Sequence, residues 1–213
     1  MKTTLFVAFL TSVMLSNCSS DNSKSTLVPT TTLVPPASLV ALSEAEISDL
    51  KFLREEEKLA RDVYLFSFDK YQINIFKNIS QSEQNHTDSV LFLLNRYGIS
   101  DPALTERGVF VNPVLQGLYN DLTAQASISS IEALKVGATV EDLDINDIDH
   151  FTVNTSKADL LYVYNNLNCG SKNHIRTYTN QLVIYGVNYV PQFLSVADYN
   201  SILSSANVKC GKI

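Results

Sequence analysis

At 213 residues and 45% hydrophobic content, the chain has room for one ordinary domain with extensions and is globular in composition. A formal net charge of −6, with no Lys/Arg cluster, argues against general nucleic-acid binding. There are 22 acidic residues but only three Cys and three His, so any metal chemistry would lean on carboxylates, which favours iron or manganese over a thiolate zinc site.

Residues 1–17 read as a targeting segment. Lys2 gives a positive start, and the apolar run at 5–15 is too short to span a bilayer as a permanent anchor. The run Leu15-Ser16-Asn17-Cys18 resembles a bacterial lipoprotein signal, in which Cys18 is lipidated and becomes the mature N-terminus. Asn17 departs from the small residue usual before that Cys, and an ordinary secretory signal cut nearby is the alternative. Either way the expected location is the cell envelope, with the lipid anchor as the membrane contact. Residues 18–41, rich in Ser, Thr, Pro and Val, read as an extended tether.

A first helix is expected at about 43–70. Ser43 and Glu46 form a capping box, and Leu50, Leu53, Glu57, Ala60 and Tyr64 then recur at spacings of three and four. Glu57 is the one charge in that apolar seam. The neighbouring run Arg54-Glu55-Glu56-Glu57-Lys58 predicts a solvated face for Glu55, with Glu56 a reserve candidate beside a second apolar stripe of Phe52, Leu59 and Val63. The short connection at 71–74 predicts an antiparallel second helix, 75–97. Its seam is Phe76, Ile79, Glu83, His86, Val90, Leu93 and Tyr97, so Glu83 and His86 point into the core, one above the other. Gly98 ends this helix.

Residues 98–127 are too long for a tight turn and suit a crossover, with a short helical piece from Asn112-Pro113 to Leu122. The third long helix, 129–150, places Glu141 in a seam of Ile131, Leu134, Ala138, Ile145 and Ile148, with Asp144 one turn on. The fourth, 156–184 with Ser156 as its cap, carries Leu160, Tyr164, Leu167, Ser171, His174 and Tyr178. A short helix at 196–204 would follow in a tail that docks on the domain. The expected fold is all-α, an antiparallel four-helix bundle with a long crossover between the second and third long helices.

Each polar interruption falls within about one turn (~5.4 Å) of its helix midpoint, so Glu57, Glu83, His86, Glu141, Asp144 and His174 should converge on one level. Four carboxylates crowded in a core would repel one another or take up protons. Two divalent cations supply +4 against −4, with two neutral imidazoles completing the shells. A hydrogen-bonded network without metal is the alternative, but it offers few donors.

At these residues the chain resembles the ferritin-like di-iron carboxylate superfamily, through Glu57 with Tyr64, Glu83-x-x-His86, the crossover, Glu141 and His174. It is more closely similar to a ferritin-like family designated domain of unknown function 2202. The runs at 54–64, Ser82-Glu83-Gln84-Asn85-His86 and Gly170-Ser171-Lys172-Asn173-His174 carry that likeness, over about 42–205, leaving 206–213 as a C-terminal tail. The resemblance implies a four-helix ferritin-like fold and brings no known reaction; the two divalent metals expected in it are iron first and manganese second. In that arrangement Glu57 and Asp144 are terminal ligands, Glu83 and Glu141 bridge, and His86 and His174 serve separate metals. One departure is clear: the superfamily has a carboxylate three residues before the second His, where this chain has Ser171. Asp144 is the expected replacement, and Ser171 leaves room for water or peroxide.

Tyr64 and Tyr178 read as packing residues able to hydrogen-bond a ligand, and His150 as a surface residue favourable to the helix dipole. Cys169 and Cys210 are either a disulfide, which export favours, or free buried thiols. Two function classes remain. One is a di-metal oxidoreductase that uses dioxygen or peroxide, as in ferroxidase or peroxide-reducing activity. The other is a non-catalytic metal-binding, sensing or structural envelope protein on the same scaffold.

Overall fold

The structure, a computed structural model, describes residues 40–211. The segment expected to be a signal (1–17), Cys18 and the tether up to residue 39 lie outside the described residues. The described residues form six helices and no strand. Helix α1 (Glu44–Tyr71) starts at the expected capping box, the Ser43 N–H donating to Glu46 at 2.8 Å and the Glu46 N–H to the Ser43 hydroxyl at 3.2 Å. Gln72 and Ile73 then turn the chain into α2 (Asn74–Arg96). Gly98, at φ +66°, closes α2: its N–H reaches the Asn95 carbonyl (3.2 Å), and the Ile99 N–H reaches that of Leu94 (2.8 Å). Both bonds satisfy carbonyls that the helix end leaves without a partner.

Helix α3 (Pro113–Ala126) begins with Pro113 behind the Asn112 cap, and α4 (Ser130–Val153) behind Ser129. Helix α5 (Ala158–Ile184) starts one residue later than expected, at a Lys157 cap without a side-chain bond. Thr155, rather than Ser156, organises that connection. Its hydroxyl accepts the Lys157 N–H (3.1 Å) and donates to Glu46 (2.6 Å), tying the α4–α5 link to the start of α1. Helix α6 (Val196–Ser204) is capped by Ser195.

The four long helices pack in neighbouring pairs: α1 on α2, α4 on α5, α1 on α4 and α2 on α5. Helix α3 lies against α1 and α4, and α6 against α5. The apolar core falls into two clusters. One contains Leu50, Leu53, Leu93, Leu160 and Leu167; the other Val63, Phe76, Leu134, Ile175 and Leu182. Along α1, α2 and α5 the polar seam residues fall between the stretches that supply these clusters.

Buried charges fasten the irregular segments to this frame. Glu55 is not solvated as its sequence surroundings predict. It is buried, and its two oxygens accept the N–H groups of Val111 (2.6 Å) and Asn112 (3.0 Å). The crossover passes over α1 without secondary structure there, so its amides need an acceptor, and Glu55 supplies one. Lys58 does the converse, donating to the carbonyls of Glu106 (2.9 Å) and Val109 (3.1 Å) and to Asp62 (2.9 Å). Asp142 holds the tail, accepting from the Tyr189 hydroxyl and from the N–H groups of Gln192, Phe193 and Leu194. Cys169 and Cys210 are joined as a disulfide, 41 residues apart in sequence and 5.8 Å between Cα atoms, so the end of the tail is tied to α5. His150 is exposed at the end of α4.

Replacing Asp142 with Ala leaves these amides and the buried Tyr189 hydroxyl without their acceptor. Unfolding should become easier by about 2–4 kcal/mol, given ~1–3 kcal/mol for each buried group left unpaired. Denaturant unfolding together with hydrogen exchange at Gln192, Phe193 and Leu194 checks this. Unchanged exchange at those three amides would show that something else holds the tail.

Candidate metal centre

The seam positions of α1, α2, α4 and α5 bring their polar side chains to one layer, where Glu57 and Glu83 are each 1% exposed. Two three-residue groups form there, Glu57 with Glu83 and His86, and Glu83 with Glu141 and His174. Within each group one ligand atom per residue lies within 4.8 Å of the others. Glu83 belongs to both. One of its oxygens lies 2.7 Å from His86 Nδ1 and the other 2.9 Å from His174 Nδ1. The two imidazoles stack at 5.5 Å between ring centroids. Glu57 approaches His86 at 3.3 Å, and Glu141 approaches His174 at 3.4 Å.

Around these five lie the other residues singled out from sequence. Tyr64 donates to Glu141 at 2.5 Å. Burial, with the Glu141 charge adding to it, pushes the Tyr64 phenol well above its ordinary range, so it keeps the proton it donates. Tyr178 packs on Tyr64, 5.3 Å between centroids, and its buried hydroxyl makes no hydrogen bond. Asp144 is buried but joins neither group, in contrast to its expected place as a ligand equal to Glu57. Its Oδ2 accepts the Ser171 hydroxyl at 2.5 Å, and its Oδ1 has no partner. Ser171 therefore sits against Asp144. Glu141, expected to bridge, lies in the His174 group alone. Glu56 is buried with both oxygens unpartnered. Burial raises its carboxyl strongly, and the charges of Asp144, Asp147 and Glu57 add to this.

Sequence reasoning missed two glycines. A Cβ on Gly170 would lie 2.6 Å from His86 Nε2, and one on Gly137 would lie 2.5 Å from the Tyr178 ring. Glycine inside a helix is unfavourable by ~1 kcal/mol relative to alanine, so two of them at mid-helix were the available signal for a close approach.

The protonation pattern follows from crowding. Burial pushes Glu57 up to about 7, with the Glu83 charge adding to it and His86 opposing it. Burial and the Glu83 charge likewise push Glu141 up to about 7, against the pull of His174. Burial opposes ionisation of Glu83 too, but the two flanking imidazoles win and hold it well below the usual carboxylate range. Burial opposes the charge on His174, yet Glu141 and Glu83 raise it to about 10; His86 is raised well above its ordinary value by Glu83 and Glu57. Burial, with the charges of Glu57 and Glu141, pushes Asp144 strongly upward against the Ser171 hydrogen bond. Without a cation, the layer can be held only by protons.

An all-helical protein with a buried, shared-carboxylate Glu/His layer able to hold metal is thus the class defined by fold and site. The chain belongs to the family described as "Uncharacterized protein domain (DUF2202)", whose profile matches residues 46–206. It is similar to the uncharacterised protein MJ0754 of Methanocaldococcus jannaschii, 48% identical over 166 residues that span 78% of this chain and 90% of that protein. The crystal structure of the hypothetical protein MJ0754 from Methanococcus jannaschii superimposes with a TM-score of 0.78 at 46% identity, covering 79% of this chain and 97% of that one.

The metal-free protein should be most stable in mild acid. Glu57 and Glu141, raised from 4.5 to about 7, keep protons in the folded state that the unfolded chain has already lost, so stability falls as pH rises through that window. The stabilisation from His174 is complete below 6.5 and is lost as pH rises towards about 10. Glu83 works in the opposite direction, losing its contribution only as pH falls below the ordinary 4.5. Thermal unfolding of chelator-treated protein should therefore give a higher Tm near pH 5 than at pH 8. A flat profile would show that these groups do not interact as their geometry requires.

Proposed function

We propose that this chain is a ferritin-like protein of the cell envelope. In this reading α1, α2, α4 and α5 form an antiparallel four-helix bundle, with α3 in the long crossover, and the bundle holds two divalent metal ions, iron first and manganese second. One observation carries the reading. In a buried layer, Glu83 Oε1 and His174 Nδ1 face each other at 2.9 Å as an ion pair without hydrogen-bond geometry. Glu57 Oε1 and Asp144 Oδ1 are without a hydrogen-bond partner. A polar network that stabilised itself would spend these atoms on one another, because a buried polar atom without a partner costs about 1–3 kcal/mol. Buried carboxylate oxygens left without donors beside two histidines fit a cation.

Glu57, Glu83 and His86 would hold one ion, and Glu83, Glu141 and His174 the other, with Glu83 bridging. Asp144 remains a terminal-ligand candidate through its unpartnered Oδ1. When bound as Fe(II), the pair supplies two electrons, enough to convert one hydrogen peroxide and two protons into two waters. The chain's own part is to hold ligand geometry and protons. The Tyr64 hydroxyl fixes the Glu141 carboxylate, and the Ser171 hydroxyl fixes Asp144. The activity class is ferroxidase or reduction of dioxygen or peroxide. The signal-like run ending at Cys18 supports export with a lipid anchor.

Two measurements test this. Fe(II) or Mn(II) should stabilise wild type by roughly 3–4 kcal/mol at a few hundred to a thousand times its dissociation constant. Glu83→Ala should remove most of that gain, because it deletes the residue common to both groups. Equal melting temperatures for wild type with and without saturating metal would sink the dinuclear centre. For the anchor, Cys18→Ser should move the protein from the membrane to the soluble envelope fraction; unchanged partitioning would rule out lipidation there.

A further inference from the structure

A cleft of about 1010 Å³ opens between α2 and α5, and both His86 and His174 line it. Since each Nδ1 is turned to the carboxylates, the outer edges of the rings face the other way, towards the cleft. Gly170 lies against His86 at this place, where a Cβ would come within 2.6 Å of Nε2. The cleft is far larger than dioxygen or peroxide needs, since a water occupies only about 30 Å³. It is of the size that takes an organic molecule.

The walls say which kind. Phe92 from α2 and Tyr162 from α5 are half-exposed (57% and 52%), and Leu93 and Val163 also line the cleft. Among the described residues, no Lys or Arg lines the cleft. Its two acids are already engaged: Asp159 is bonded to Arg96 (2.9 Å) and to the Tyr97 hydroxyl, and Asp88 accepts from Gln84 (2.8 Å). Polar contacts come from asparagine amides. One of these, Asn166, is fixed by the Gly211 N–H at 2.8 Å. The disulfide holds that tail in place, so Cys210 and Gly211 form a built wall.

We propose that this cleft binds an uncharged, ring-containing organic molecule as a substrate or co-substrate of the centre beneath its floor, an inference that rests on the dinuclear reading. Aromatic faces on two walls fit a flat apolar body, the Asn85 amide fits a hydroxyl or carbonyl on it, and the imidazoles set its inner end against the centre.

The test uses the full-length chain loaded with Mn(II), with Zn(II) as the diamagnetic control, and 2-naphthalenemethanol as the probe. Ligand-observed NMR should show saturable binding, with the probe's protons broadened by Mn(II) and not by Zn(II). The anion 2-naphthoate should bind at least about tenfold more weakly, and a Phe92→Ala/Tyr162→Ala variant should weaken the neutral probe by about tenfold at unchanged metal content. Absence of saturable binding, binding without Mn(II)-dependent broadening, equal binding of the anion, or no effect of the double variant would each overturn the proposal. Metal analysis of the same samples keeps the two readings apart. If neither ion is retained, the dinuclear reading fails by itself, and the cleft is then judged on metal-free protein by the neutral-against-anionic preference and the double variant.

Discussion

The structure depends on a single carboxylate shared by two buried imidazoles. Glu83 places one oxygen near each ring, and everything else in the layer adjusts to that. Burial pushes the Glu57 and Glu141 carboxyls upward, and the charge that the pair of rings holds on Glu83 adds to it. The two helices that carry the imidazoles must also approach closely, which Gly170 allows. The division of the apolar core into two clusters, with this layer between their contributing stretches, is the packing consequence.

The molecule contains two populations of buried charge, and their hydrogen bonding separates them. Glu55, Lys58, Asp62 and Asp142 are fully occupied, mostly with backbone groups of the crossover and the tail. They compensate segments that pass over the helices without ladders of their own, which is the general requirement on buried amides and carbonyls. Glu56, Glu57, Glu83 and Asp144 each keep at least one oxygen without a partner. Stability alone would not retain such groups, because a half-satisfied polar cluster is worse than an apolar core of the same volume. That contrast, more than the presence of acids in a core, separates the candidate centre from the scaffolding.

The tail joins these two themes. Asp142 holds its first part, and the Cys169–Cys210 disulfide holds its end against α5, beside the cleft that reaches the histidines. A segment without regular structure is thereby made a wall of defined position.

Much was legible in the sequence because helical periodicity is a local property. The spacing of three and four that runs through Leu50, Leu53, Glu57, Ala60 and Tyr64 reports which face is buried before any neighbour is known, and an acid or histidine on that face stands out. The capping box at Ser43 and the stop at Gly98 are equally local and coincide with the observed ends. What the sequence could not decide were relations across helices. Glu55 and Glu56 are adjacent acids in one charged run, yet one binds backbone amides 56 and 57 residues away and the other is buried near the charges of Asp144, Asp147 and Glu57. The sharing of Glu83, the removal of Asp144 to the side of Ser171 and the pairing of Cys169 with Cys210 are likewise settled by which side chains the packing brings within a few ångströms. Periodicity determines which residues face inward; only the tertiary structure decides what they meet there.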